Sequence, residues 1–199
     1  PLLPVIGGQP NLGRYCLFGN LFAAAGAGGT VHRIDRHPTM SVHPVTPMGE
    51  ADLRRHLAAQ GLKRVALVDY RSHEADGAGQ ALDAALASDP EAVLFDVARP
   101  SDLVAIGTLM RERMSAGRML AIGASSVAQA FAGFRQTAQP AMPKLPRPVS
   151  GGNLLALVGS LSPVTRSQVE LAEGYERIAI DPARLTGEPA YREALCAET

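Results

Sequence analysis

The stretch KRVALVDYRSHEADGAGQALDAALASDPEAVLFDV, residues 63–97, decides the fold class. It opens and closes on short apolar runs, VALV and AVLF, each followed by an aspartate, Asp69 and Asp96. Neither run alternates polar and apolar residues, which is how strands covered on both faces read. Between them lies an alanine-rich segment with helical spacing, ended by the Asp89-Pro90 turn. Strand, helix and strand with short connections specify a parallel pair.

The same alternation extends to both sides. Upstream, MGEADLRRHLAAQG (48–61) carries acids at its start, Leu53 and Leu57 four apart, and a closing glycine, a helix with both boundary signals. Downstream, PSDLVAIGTLMRERMSAG reads as a helix, RMLAIGAS (118–125) as a strand, and SSVAQAFAGFRQ as a further helix starting at Ser125-Ser126. LPVIG (3–7) reads as a buried strand, and VHRID (31–35) as another. The glycines of the intervening NLGRYCLFGNLFAAAGAGG match no phosphate-loop spacing and are read as turns or as backbone freedom near a site. The expected fold is therefore α/β, an open and mostly parallel sheet with helices on both faces, over residues 1–135. Residues 136–152, with four prolines and no apolar period, read as a linker. Residues 153–199 then open a second α/β unit: NLLALVGS as strand, LSPVTRSQVELAEG as helix and YERIAID as strand. One β-α-β unit buries too little surface to stand alone.

Composition narrows the function. Nineteen basic side chains balance 19 acidic ones, which argues against a broad nucleic-acid or anionic-membrane footprint. No apolar run is long enough to span a bilayer and no signal peptide is evident, so a cytoplasmic setting is expected. The two cysteines, Cys16 and Cys196, fit no metal or redox motif and read as free thiols.

Function is expected to centre on residues 32–56, HRIDRHPTMSVHPVTPMGEADLRRH, where four of the five histidines, three prolines and four arginines fall. Such a Pro- and His-rich segment reads as an ordered functional loop. Arg14, Arg33 and Arg36 have the chemistry to grip a carboxylate bidentately, and equally to form surface ion pairs. His32, His37 and His43 with Asp35 suggest a metal, but spacings of five and six in a proline-rich loop match no zinc pattern, and hydrogen bonding to a ligand or to the loop itself is the favoured reading. His37 and His43 each precede proline and are held extended by it. Ser162 followed by Pro163 has the form of a helix N-cap, and the small residues Gly159, Ser160 and Ser162 at a strand-to-helix turn suit phosphate as well. Asp69 and Asp96 stand where strands end, as helix caps or as general bases.

Taken together, GRYCLFGNLFA, RIDRHPTMSVHPVTPMGEADLRRHLAAQ and VGSLSPVTRSQVE resemble the four-carbon acid sugar kinase family. Its members are ATP-dependent kinases acting on threonate, erythronate or 3-oxo-tetronate, with a sugar-acid-binding domain, a linker and a nucleotide-binding domain. The resemblance implies a sugar-acid site at Arg14, Arg36, His37, His43, Ser125 and Ser126. It implies ATP at Gly159, Ser160 and Ser162, with Mg²⁺ on the nucleotide and the hydroxyl far from the carboxylate as acceptor. Ala124 departs from the family's Gly- and Ser-rich turn. The family's early Asp-Asp-x-Thr-Gly and late Gly-Gly-x-Thr motifs do not occur, so the chain is expected to match the later part of the substrate domain and the opening of the nucleotide domain. The alternative is a sugar-acid-binding or regulatory remnant without catalysis. Catalytic base and oligomeric state, a homo-oligomer included, are left open.

Overall fold

The computed structural model describes residues 2–26, 28–74, 77–114, 118–132, 154–160 and 162–198. The expected linker, 136–152, lies outside them. The chain divides into two compact units, Pro1–Leu155 and Ala156–Thr199.

The first unit is built on a four-stranded parallel sheet. Its strands are β1 (Pro4–Ile6), β5 (Val65–Val68), β6 (Ala92–Phe95) and β7 (Ile122–Gly123), in the order β5-β6-β1-β7. Val5 pairs with Leu94 and Ile6 with Phe95, so the two-residue period of each strand sorts side chains between two faces. Ile6, Val68, Val93 and Phe95 meet Leu82 of α2 (Ala78–Leu86), Leu103, Ile106 and Met110 of α3 (Pro100–Arg113), and Ala130 of α4 (Ser126–Ala132). Val5, Ala92 and Leu94 face the other way, onto Leu53 of α1 (Leu53–Ala59) and onto Cys16. Both faces are covered, which is why VALV and AVLF are apolar throughout.

Cys16 belongs to an element that the glycine-rich reading did not foresee. Residues 14–33 form an antiparallel sheet of β2 (Arg14–Leu17), β3 (Asn20–Ala24) and β4 (Val31–Arg33), in that order. The glycines mark its turns. Phe18 and Gly19 link β2 to β3 with φ of 52° and 78°, the pair of left-handed residues that a two-residue hairpin of type I′ requires. VHRID is strand only to Arg33, because Ile34–Arg36 closes into a 3-10 turn.

Two further expectations are corrected. Over 118–125 only Ile122–Gly123 is strand. In the second unit the helix begins where expected, as α5 (Pro163–Leu171), followed by α6 (Pro182–Gly187) and α7 (Pro189–Glu198). Residues 154–160 and 175–180, read as strands, pair with nothing among the described residues. Their β-formers lack the lateral partners that turn propensity into a ladder. Leu154, Leu155, Leu157 and Ile180 stay exposed. What orders the second unit is local: Asp181 caps α6, and the Arg184 guanidinium lies 4.4 Å from the Tyr191 ring centroid. No helix among the described residues is long and apolar enough to cross a membrane.

Candidate functional site

Open parallel sheets bind ligands beyond the carboxyl ends of their strands. Here that edge is assembled from the exits of β1, β6 and β7. β1 runs into Gly7-Gly8-Gln9, and the lack of a side chain at Gly8 is a packing requirement. A Cβ there would stand 2.6 Å from the Val97 carbonyl oxygen and 2.7 Å from its Cβ. The hairpin is stitched to the same place, since Cys16 and Val97 exchange backbone hydrogen bonds of 2.9 and 3.0 Å.

Gln9 organises this edge. Its N–H donates to the Arg14 carbonyl at 2.8 Å and its own carbonyl accepts from Arg14 at 3.2 Å. The side chain is buried, and its Oε1 accepts the Ser125 hydroxyl at 2.9 Å across 116 residues. Ser126 follows, fully buried, with an Oγ that has no hydrogen-bond partner. Three of the residues singled out in the sequence, Arg14, Ser125 and Ser126, are thus gathered around a fourth that was not. Arg14 is exposed and makes no ion pair among the described residues.

The two strand-end aspartates hold backbone. Asp96 accepts the N–H groups of Phe18 and Gly19, and more weakly that of Tyr70, so its oxygens are committed to the hairpin turn. Burial lifts its carboxyl above the usual range, against the pull of those donors. The same burial, with the nearby Asp96 charge, pushes the Cys16 thiol far up and keeps it neutral. Asp69 caps the 3-10 turn Tyr70–His73 and pairs with Arg71, whose guanidinium holds its carboxyl below the ordinary range.

The histidine-rich loop folds around its own histidines. His37 Nδ1 accepts the N–H groups of Thr39 and Met40, both at 3.1 Å, while Nε2 lies 3.3 Å from the Ala24 carbonyl at the end of β3. Ala24 in turn donates to Gly13, beside Arg14, so this loop is tied to the strand that carries Arg14. Six residues on, His43 repeats the device, its Nδ1 accepting from Val45 at 3.3 Å and Thr46 at 3.0 Å. The proline after each histidine turns the chain back so that the next two N–H groups reach the ring. His37 is buried with both ring nitrogens engaged, while His43 is half-buried. Arg33 is spent on Asp35 in a bidentate pair, and Arg36 is exposed and unpaired among the described residues. His32 meets His37 edge-on at 6.0 Å. No group of three His, Cys, Asp or Glu among the described residues could hold a metal ion.

In the second unit Ser162 Oγ accepts the Thr165 N–H at 3.1 Å, the expected N-cap. Ser160 Oγ accepts the Ser162 N–H at 3.2 Å, with Gly159 and Ser160 exposed and Ser162 half-buried at the head of α5.

Residues 3–131 match the sugar-binding N-terminal domain. The chain belongs to the four-carbon acid sugar kinase family. It is 39% identical over 173 residues to a 3-oxo-isoapionate kinase from Paraburkholderia graminis, covering 86% of this chain and 36% of that protein. With a 3-oxo-tetronate kinase from Methylobacterium radiotolerans it shares 32% over 190 residues, or 94% of this chain and 43% of the relative. The chain therefore spans less than half the length of either. Among solved structures, a Haemophilus influenzae protein of the DUF1537 family superposes with a TM-score of 0.55 at 22% identity, over 66% of this chain and 29% of that one, a likeness of fold.

Within this sugar-binding domain the residue that sequence reasoning missed is Gln9. Its one visible signal is that of a lone amide between a buried strand with its two glycines and a proline.

Proposed function

We propose that the chain supplies the sugar-acid-recognition part, and the opening of the nucleotide-binding part, of an ATP-dependent kinase. Its substrate class is a four-carbon sugar acid such as threonate, erythronate or 3-oxo-tetronate. The observation that carries this reading is the family match over 3–131 on a fold that brings Arg14, Ser125 and Ser126 to the carboxyl edge of the parallel sheet. The guanidinium groups of Arg14 and Arg36, exposed and in no ion pair among the described residues, suit a carboxylate through bidentate hydrogen bonds. Ser125 suits the substrate's hydroxyls, whereas the Ser126 Oγ is sealed from solvent. His43, half-buried and fixed by its Nδ1, offers the rest of its ring to the ligand, whereas His37 serves by holding the loop in place.

The segment of Gly159, Ser160 and Ser162 fits nucleotide phosphate, because it joins the exposed Ser160 hydroxyl to the positive end of a helix. Mg²⁺ would ride on the nucleotide oxygens and neutralise charge as the phosphoryl group moves to the distal hydroxyl. The residues of this chain contribute position and charge.

Calorimetric titration with threonate and with erythronate tests the reading, beside an assay for ADP release. Saturable binding that weakens about tenfold or more in Arg14→Ala, the scale of a lost charge-assisted pair, supports it. No binding of either acid overturns it. Binding without ADP release would leave recognition standing and withdraw catalysis from this chain.

A further inference from the structure

We infer that Gln9 is a specificity-determining residue of the sugar-acid site, donating a hydrogen bond from its amide nitrogen to a keto or hydroxyl oxygen on the ligand's carbon chain. The inference rests on the sugar-acid reading above and adds to it a residue and the ligand group it reads.

A glutamine side chain carries one acceptor oxygen and two N–H donors. At Gln9, which is 3% exposed, the oxygen is taken by the Ser125 hydroxyl and no described residue accepts from the nitrogen. Buried polar groups nearly always find partners, so a buried amide with only its acceptor used needs a reason. Ser126 Oγ, one residue beyond the Ser125 contact, is also without a partner. Two unpaired polar groups therefore flank one hydrogen bond, at the sheet edge where ligands bind. The unpartnered side-chain atoms sealed from solvent among the described residues are His73 Nδ1 and Ser126 Oγ, and the Gln9 nitrogen is not one of them.

The surroundings fix how the amide is presented. The backbone of Gln9 is locked by its exchange with Arg14 and by the Leu12 N–H, which donates to its carbonyl at 2.9 Å. Ser125 then orients the amide by its oxygen, leaving the donors outward. A neutral donor beside an unpaired arginine divides the work. The guanidinium takes the carboxylate, and the amide reads an uncharged oxygen further along the chain.

The test is titration of the wild-type chain and of Gln9→Met and Ser125→Ala with threonate, erythronate and succinate, a four-carbon acid without hydroxyls. Methionine nearly conserves volume and removes the donors, and Ser125→Ala frees the amide without altering it. Thermal melts confirm folding. The expected result is a loss of about tenfold in affinity for threonate and erythronate in Gln9→Met, the scale of one hydrogen bond, a smaller loss in Ser125→Ala, and unchanged succinate binding in both. Equal binding of the hydroxy acids by wild type and both variants overturns the role of Gln9 and leaves the sugar-acid reading intact. An equal loss for all three acids assigns Gln9 to support of the fold and overturns it too. Should Gln9→Met fail to fold, Gln9→Leu, which likewise removes the donors, decides in its place. If the wild type binds none of the acids, the sugar-acid reading falls and the role of Gln9 falls with it.

Discussion

The Asp96 carboxylate accepts the Gly19 backbone N–H at 2.9 Å across 77 residues, and the neighbouring Phe18 N–H donates to its other oxygen. Left-handed φ values at both turn residues direct the two N–H groups inward together. The tip of the antiparallel hairpin is thereby fastened to the exit of β6, and with it Arg14 is held against the sheet edge.

Replacing Asp96 with asparagine turns one acceptor into an N–H₂ group that faces an N–H donor. One donor is left unpaired and the other loses a charged acceptor. The expected destabilisation is about 2–4 kcal/mol, read from the midpoint of urea unfolding. A change below about 0.5 kcal/mol, within the scatter of ordinary surface substitutions, would show that the turn does not depend on the carboxylate.

Acid has opposite effects on two sets of carboxyls. Asp52 is held below its ordinary value of 3.8 chiefly by the Arg54 guanidinium, and Asp69 likewise by Arg71. Their contribution is present above the unfolded value and is lost as pH falls through the depressed folded values. Asp96 is raised above 3.8 by burial, so its contribution is full below the unfolded value and is lost as pH rises through the folded one. The melting temperature of the wild type is therefore expected to fall steeply below about pH 4. The gap between wild type and Asp96→Asn is expected to widen as pH drops from about 6 to 4. A gap that narrows over that interval would place the folded Asp96 below 3.8.

The parallel core could be read directly because its elements declare themselves locally. An apolar run ended by Asp69 or Asp96, and a helix capped by Asp52, need no distant partner to be recognised. The hairpin could not, since Phe18 occupies a left-handed turn position that usually carries asparagine or glycine, and the glycines around it read as loop. Its stabilising acceptor, Asp96, lies on another strand. Gln9 was hidden for the same reason: its side-chain partner Ser125 is 116 residues away. Residues 154–160 and 175–180 show the converse, strand propensity with no neighbouring strand to pair among the described residues. Of the site, Ser125 and Arg14 were named from a resemblance, and only the fold shows that one glutamine joins them.

The two cysteines should separate in chemistry as they do in place. Cys16 is fully buried, its thiol kept neutral by burial and by the Asp96 charge, and neutral thiols are poor nucleophiles. Cys196 is exposed. Titration of the native chain with an aromatic disulfide reagent is expected to release one equivalent quickly, and a second only in denaturant. Two fast equivalents under native conditions would mean that the hairpin opens from the sheet edge on the reagent's timescale.

The paired histidine turns make a prediction that depends on protons alone. In His37-Pro38-Thr39-Met40 and in His43-Pro44-Val45-Thr46 the ring Nδ1 accepts two successive backbone N–H groups. A nitrogen that accepts cannot carry the proton, so the ring proton of each imidazole sits on Nε2. For His37 that proton points at the Ala24 carbonyl, 3.3 Å away. Nitrogen-15 spectra of the side chains at neutral pH should show the Nε2–H form for both residues. The two should then part under mutation. His37→Ala removes the tie between the loop and β3, and amide exchange across residues 37–48 should accelerate by about tenfold or more, the scale of about 1.4 kcal/mol of local stability. His43→Ala removes only an exposed turn, and faster exchange should stay within residues 43–46. An Nδ1–H form at His37, or exchange unchanged by its loss, would leave the order of the loop to contacts other than the ring.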